Sequence, residues 1–300
     1  MNLRLMALNI REFCPLLSIP VIKQRINVRY KQILAAEKWS FLFDSTVVRL
    51  YAQHTSVTGE TVAVYQTGTS VEGTGTTFAS GHVGWYMRFG DDPQEYIIST
   101  IVDATGLTIE SDYANADTTQ SAYTLSKRVH SPAVGNVNEI IDVVYKTRLV
   151  ERSQEFLNNL DPERTSTGEP VYWSNVSKTT AVEGIVSFEV WPVPSSDYAV
   201  TVYYRKTISD LTEDTDSPVF RTEILEAGTL FDCYRLSYAV TQNPAFIGLA
   251  RDAKTDYEVE LRRMILEDMD TQSLPRRVKN VFGVSSFDDN FTLDHDVDML

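Results

Sequence analysis

Thr61 to Leu125 reads TVAVYQTGTSVEGTGTTFASGHVGWYMRFGDDPQEYIISTIVDATGLTIESDYANADTTQSAYTL, and this run decides the fold class. Apolar-alternating segments at Thr61–Tyr65, Val83–Phe89, Tyr96–Val102, Leu107–Ile109 and Ala122–Leu125 are set between turn-forming clusters. Those clusters are Gly73-Thr74-Gly75, Gly90-Asp91-Asp92-Pro93, Ala104-Thr105-Gly106 and Ala114-Asn115-Ala116-Asp117. Such regular, short spacing predicts a small all-β barrel or sandwich.

The flanks have a different period. Ile22, Ile26, Tyr30 and Ile33 mark one face of a helix over Val21–Lys38, with Pro20 suited to its first turn. Leu3–Leu17 predicts a shorter helix that Pro15 ends or kinks. Downstream, Val134–Val150 alternates as a strand and Ser153–Leu160 suits one or two helical turns. Gly184–Trp191 and Tyr198–Lys206 read as a hairpin with a longer loop. With Ser217 as N-cap, a helix over Val219–Tyr238 places Phe220, Ile224, Phe231 and Tyr234 on one face. After Asn243-Pro244, a helix over Ala245–Asp270 aligns Leu249, Ala253, Tyr257, Leu261 and Ile265, so the two helices should pack as an antiparallel pair.

The expected fold class is α+β: a helical bundle with a β-hairpin or strand segment and an inserted small all-β barrel or sandwich domain. The expected divisions are a core of 1–57 and 129–273, an insert of 58–128, and an extended C-terminal tail of 274–300.

The formal net charge of −14 argues against general nucleic-acid binding. Its distribution is uneven. Residues 1–40 are net basic through Arg4, Arg11, Lys23, Arg25, Arg29, Lys31 and Lys38, whereas the last sixteen residues hold five Asp and no Lys or Arg. Cys14 and Cys233 have no metal-ligand spacing and read as buried free thiols. No apolar run reaches the roughly 20 residues that cross a bilayer, and the start is too polar for a secretory signal. The expected place of synthesis and assembly is the cytoplasm.

No motif carries catalysis. Gly73-Thr74-Gly75-Thr76 is followed by strand-like sequence rather than a helix, so a turn is the better reading than a phosphate loop. His54, His82, His130 and His295 are isolated, and Asp210, Glu213, Asp214 and Asp216 lack the Gly and terminal Glu of a calcium loop. Asp294-His295-Asp296 with Asp298 reads as a solvated acidic stretch. Trp39, Trp85, Trp173 and Trp191 lie in apolar patterns that predict core positions. No cofactor or metal is expected. The plentiful carboxylates leave a carbohydrate-active enzyme or carbohydrate-binding module as an alternative.

A family likeness rests on the following residues. Glu37, Trp39, Phe41 and Leu42 end the amphipathic helix, and the β insert carries Gly73-Thr74-Gly75-Thr76, Phe78, Arg88-Phe89, Tyr96, Leu107-Thr108-Ile109 and Tyr123-Thr124-Leu125. A strand like Val137–Tyr145 follows. Then come Trp191-Pro192-Val193-Pro194, Tyr198, Tyr203-Tyr204-Arg205-Lys206, Leu211-Thr212, Asp216 and Pro218, and finally two long helices. The chain resembles the head–tail adaptor (connector) proteins of tailed bacteriophages, in the version that carries an inserted β domain.

The resemblance implies a non-enzymatic virion structural protein, a homo-oligomeric ring of twelve copies docked beneath the portal. The partners it implies are the portal, a tail or nozzle (stopper) protein and neighbouring adaptor copies, with genomic DNA passing through the channel and no membrane. Helix residues Phe220, Ile224, Phe231, Tyr234, Tyr257, Leu261 and Ile265 would build the ring body. The tail would grip the portal through Arg276, Arg277, Lys279, Val281, Phe282, Phe287, Phe291, Leu293 and Leu300. Another tail or head-completion component is the nearer alternative.

Overall fold

The computed structural model describes residues 1–176 and 186–273 of the chain. Among the described residues there are five α-helices: α1 (Leu3–Phe13), α2 (Ile19–Ala36), α3 (Gln154–Leu160), α4 (Thr222–Thr241) and α5 (Ala245–Ser273). Twelve strands of four residues or more accompany them: β1 (Phe43–Leu50), β2 (Thr61–Val64), β3 (Ser70–Thr74), β4 (Tyr86–Phe89), β5 (Glu95–Ile101), β6 (Gly106–Ile109), β7 (Thr118–Ser121), β8 (Tyr123–Ser126), β9 (Val137–Tyr145), β10 (Tyr172–Val176), β11 (Ser187–Trp191) and β12 (Tyr198–Lys206). The chain divides into a helical unit, Met1–Phe43 with the residues from Thr207 to the end of α5, and a β unit from Asp44 to Lys206.

This architecture corrects the expected fold class. The protein is α+β, but strands in several sheets dominate, and the body is not a helical bundle bearing one β segment. The segments on both sides of the insert build a two-sheet sandwich with its own core. One sheet has the order β1-β12-β9 with the two-residue strand Thr147–Arg148 at its far edge. The other has Val129–His130, β11, β10 and Val150–Glu151 in that order. Val48, Leu50, Val143, Val200 and Val202 from the first sheet meet Trp173, Phe188 and Val190 from the second, and burial of this apolar surface drives their packing.

The expected hairpin is overturned by the same topology. β11 pairs antiparallel with β10, while β12 pairs with β9, so residues 192–197 cross from one sheet to the other. Pro192 and Pro194 lack the N–H groups that a continued ladder would use.

The Thr61–Leu125 run forms an eight-stranded sheet in the order His54–Thr55, β8, β4, β5, β6, β3, β2, β7. A single residue, Ala122, separates edge strand β7 from β8 next to the opposite edge, so the sheet curls round on itself. Its inward positions, Val62, Val64, Val71, Met87, Phe89, Tyr96, Ile98, Leu107, Tyr123 and Leu125, alternate along the strands and make a separate core. Gly75 turns the chain after β3 at φ +71°, and a Cβ there would sit 2.4 Å from the Gly59 carbonyl oxygen.

In the helical unit the buried faces follow the 3.6-residue period. Leu3, Met6, Ala7 and Ile10 of α1 and Ile22, Ile26, Tyr30 and Ile33 of α2 join Ile224, Leu225, Cys233 and Tyr234 of α4 and Ala250, Ala253 and Met264 of α5. Asn2 caps α1 by accepting from the Leu5 N–H. α4 begins at Thr222 rather than after Ser217. The reason is tertiary: the Phe220 ring packs 5.2 Å from Tyr30, and the Val219 N–H donates to the Tyr30 hydroxyl. Leu249, expected on the core face of α5, is exposed, and Ala250 takes its place.

Candidate interaction surfaces

Charged side chains organise both units. In the β unit a chain of ion pairs joins the curled sheet to the sandwich. Glu95 of β5 accepts from Arg88 of β4 (3.1 Å) and from Arg128, which follows β8. Arg128 also reaches Glu189 of β11 (3.4 Å), and its guanidinium lies 4.7 Å from the Tyr86 ring centroid. Glu189 accepts from Nε of Arg164 at 2.7 Å. The Arg164 side chain is fully buried and gives its other N–H groups to the Leu157 and Asp161 carbonyls and to Asn158. Five charges thus fix how the curled sheet meets its neighbour. The sequence carried one sign of this: Glu189 stands inside the apolar strand Ser187–Trp191, where an unpaired carboxylate would be costly.

The helical unit uses the same device. Arg29 of α2 makes a two-pronged pair with Asp232 of α4 (2.6 and 3.1 Å) and lies 4.9 Å from the Tyr257 ring of α5. Gly228 makes room for it, since a Cβ there would fall 2.8 Å from Arg29 Cδ and 2.9 Å from Tyr257. The Asp268 carboxylate near the end of α5 accepts from the Ser40 N–H (3.0 Å) and hydroxyl (2.5 Å). The acidic stretch 210–216 is a largely exposed loop, as its sequence suggested, and it is tied to α2 by surface pairs. Asp210 pairs with Lys31 and Asp214 with Lys23, and Asp216 accepts from the N–H groups of Thr212 and Glu213.

The seven helix residues singled out in the sequence all meet in the core of this unit. Ile224 and Tyr234 are buried, and Phe220, Phe231, Tyr257, Leu261 and Ile265 pack partly buried around them. They hold the unit together. The nine tail residues from Arg276 to Leu300 lie outside the described residues, as do His295 and the acidic stretch around it.

Apolar side chains reach solvent on the helical unit in two stripes. Leu5, Leu8, Phe13 and Leu16 do so on and after α1, and Val259, Leu266 and Met269 do so along α5. Large apolar side chains left to solvent gain burial when a partner covers them.

The histidines and the surface recess have other roles. His130 is buried beside Phe188, both ring nitrogens lack hydrogen-bond partners, and burial pushes its pKa down to about 3. His54 instead meets Glu60 at 3.0 Å and the Tyr123 ring. A surface recess of about 300 Å³ is lined by Ile141, Asp142, Arg148, Leu149, Val150, Glu151 and Trp173. Its two carboxylates are already engaged. Asp142, with its pKa raised by burial, faces Arg148 Nε at 2.9 Å, and Glu151 accepts from Asn175. The tryptophans expected in the core are buried at 39, 85 and 173, while Trp191 is half-buried, stacked on Tyr172 and donating to Asp161. In β4, Met87 and Phe89 are buried and Tyr86 is half-buried. Both cysteines are free and buried, and no described helix is long and apolar enough to cross a membrane.

The comparison with known families decides the matter. The family described as SU10 adaptor protein matches residues 86–279, from β4 through the whole of α5. The chain belongs to that family. It is a phage structural adaptor, a component of the virion, and the match covers strands of the curled sheet, the sandwich and the long helices alike. No curated protein matches the chain.

Proposed function

We propose that this adaptor works at the head-to-tail junction: copies assemble into a ring of twelve beneath the portal, leave a channel for DNA and give the tail its platform. The observation that carries the reading is the family match over residues 86–279. The exposed apolar stripes on α1 and α5 support it, because an assembly would cover them. The charge of −14 supports a channel that repels rather than holds the duplex passing through it. In the same proposal, 58–128 is an appended module on a core of 1–57 and 129–273. Residues 274–300 dock on the portal, with Arg276, Arg277 and Lys279 supplying charge and Val281, Phe282, Phe287, Phe291, Leu293 and Leu300 supplying anchors.

Co-sedimentation with the portal of the same virion tests this. The full chain should pellet with the portal, and a chain ending at Ser273 should stay in the supernatant. If both pellet, the docking role of the tail fails. If neither does, the head-to-tail reading fails.

A further inference from the structure

The sheet β1-β12-β9 has two long open edges. Among the described residues, 44–50 of β1 border β12 alone. Residues 137–142 of β9 meet no strand on their outer side, since the short strand Thr147–Arg148 pairs only with Val144 and Tyr145. Such edges present rows of unpaired N–H and C=O groups and are ordinarily paired or covered. Both edge strands run the same way. β9 is antiparallel to β12, and so is β1, because Asp44 pairs with Lys206 at the end of β12 and Arg49 with Asp197 just before its start.

The side chains on the two edges match. The bulge between Ile140 and Asp142 turns Ile141 out to 36% exposure, at the rim of the surface recess. Both recess carboxylates have a partner, but Asn175 on Glu151 is neutral and Arg148 on Asp142 is the one cation, so the recess stays net negative. β1 carries the complement. Val47 is 67% exposed, and Arg49, two residues on and so on the same side of the strand, keeps 65% of its side chain in solvent.

We propose that β1 of one copy adds in parallel to β9 of the next, laying Val47 along Ile141 and bringing Arg49 to the recess carboxylates. A second copy is the occupant because one chain holds both halves of the contact, on opposite edges of one sheet and with the strands running the same way. β12 lies between the two halves, so they cannot meet within one copy. The contact therefore repeats head to tail, the kind of pairing that closes into rings. This inference rests on the ring reading and deepens it by naming the interface.

Cross-linking of the full chain assembled on the portal tests it. Neighbouring strands lie about 4.8 Å apart, within reach of a short bis-maleimide. Rings of the double variant Val47→Cys with Ile141→Cys should yield a ladder of covalent multimers. Rings of either single variant should match the unmodified chain, whose Cys14 and Cys233 are buried. Separately, hydrogen–deuterium exchange on the unmodified chain should show the outward amides of 44–50 and 137–142 exchanging about tenfold more slowly in the ring than in the free chain. Rings that gain no protection at these edges, or gain it without the ladder, overturn the proposal and leave the ring reading standing. Multimers from Val47→Cys alone assign β1 to a two-fold contact and overturn it equally. Absence of any ring from the unmodified chain at saturating portal overturns the ring reading and this interface with it.

Discussion

Replacing Glu189 by Gln removes the one carboxylate that pairs with Arg164 among the described residues. Arg164 is fully buried, and its remaining partners, the Leu157 and Asp161 carbonyls and Asn158, are neutral. Removing one member of a buried pair leaves an uncompensated charge and costs about 3–5 kcal/mol. Gln still accepts a hydrogen bond, and Arg128 keeps Glu95, so the lower end applies, about 3 kcal/mol. Urea unfolding followed by tryptophan fluorescence reads this directly, since Trp191 lies on the same strand as Glu189 and Trp173 on the strand paired with it. With a slope of roughly 2 kcal/mol/M, the midpoint should fall by about 1.5 M. Combining Glu189→Gln with Arg164→Met removes the stranded charge and should restore most of the loss. A single-variant shift below about 0.5 M, or a double variant less stable than the single, would refute the view that the ion-pair chain fastens the curled sheet to the sandwich.

Three further outcomes follow from the same geometry. Because His130 is buried neutral with its pKa lowered to about 3, the unfolded chain binds the extra proton between about pH 3 and 6.5. Its contribution to stability is therefore full above pH 6.5 and falls by roughly 1.4 kcal/mol per pH unit as acid is added; urea midpoints of His130→Leu should lack this component of the acid slope. Gly228→Val should destabilise the helical unit by about 1–3 kcal/mol by pushing Arg29 and Tyr257 apart, seen as an earlier loss of far-UV helical signal on heating. Asp268→Ala leaves the Ser40 N–H and hydroxyl without that acceptor and should cost about 1–3 kcal/mol in the same melt, with Asp268→Asn recovering part of it.

The sequence showed elements more clearly than their partners. Ile22, Ile26, Tyr30 and Ile33 announced α2 because one helix face alone goes into the core, and all four are buried. Strands of the curled sheet were legible for the same reason: Thr61–Val64 and Tyr86–Phe89 alternate half-buried with buried positions. β1 was hidden, since the first five residues of its alternation face solvent or lie half-exposed and only Val48 and Leu50 are buried. β3 was missed because Gly73-Thr74-Gly75 reads as a turn, yet Gly73 and Thr74 pair with Val62 and Thr61 before the chain turns at Gly75. Which sheet a strand joins depends on contacts distant in sequence, so β11 and β12 looked like neighbours although they belong to opposite sheets. The helices were given too large a share of the body on that account. Of the candidate surface, the core roles of Phe220 to Ile265 were written in the helical period, whereas the ion-pair chain, gathered from residues 88, 95, 128, 164 and 189, had no local pattern beyond the charge at Glu189.

The central claim, assembly at the head-to-tail junction, is tested most directly by cryo-electron microscopy of the purified chain mixed with its portal. The account predicts a closed ring of copies seated beneath the portal around an open channel. A chain that stays monomeric and leaves the portal bare at saturating concentration would contradict it.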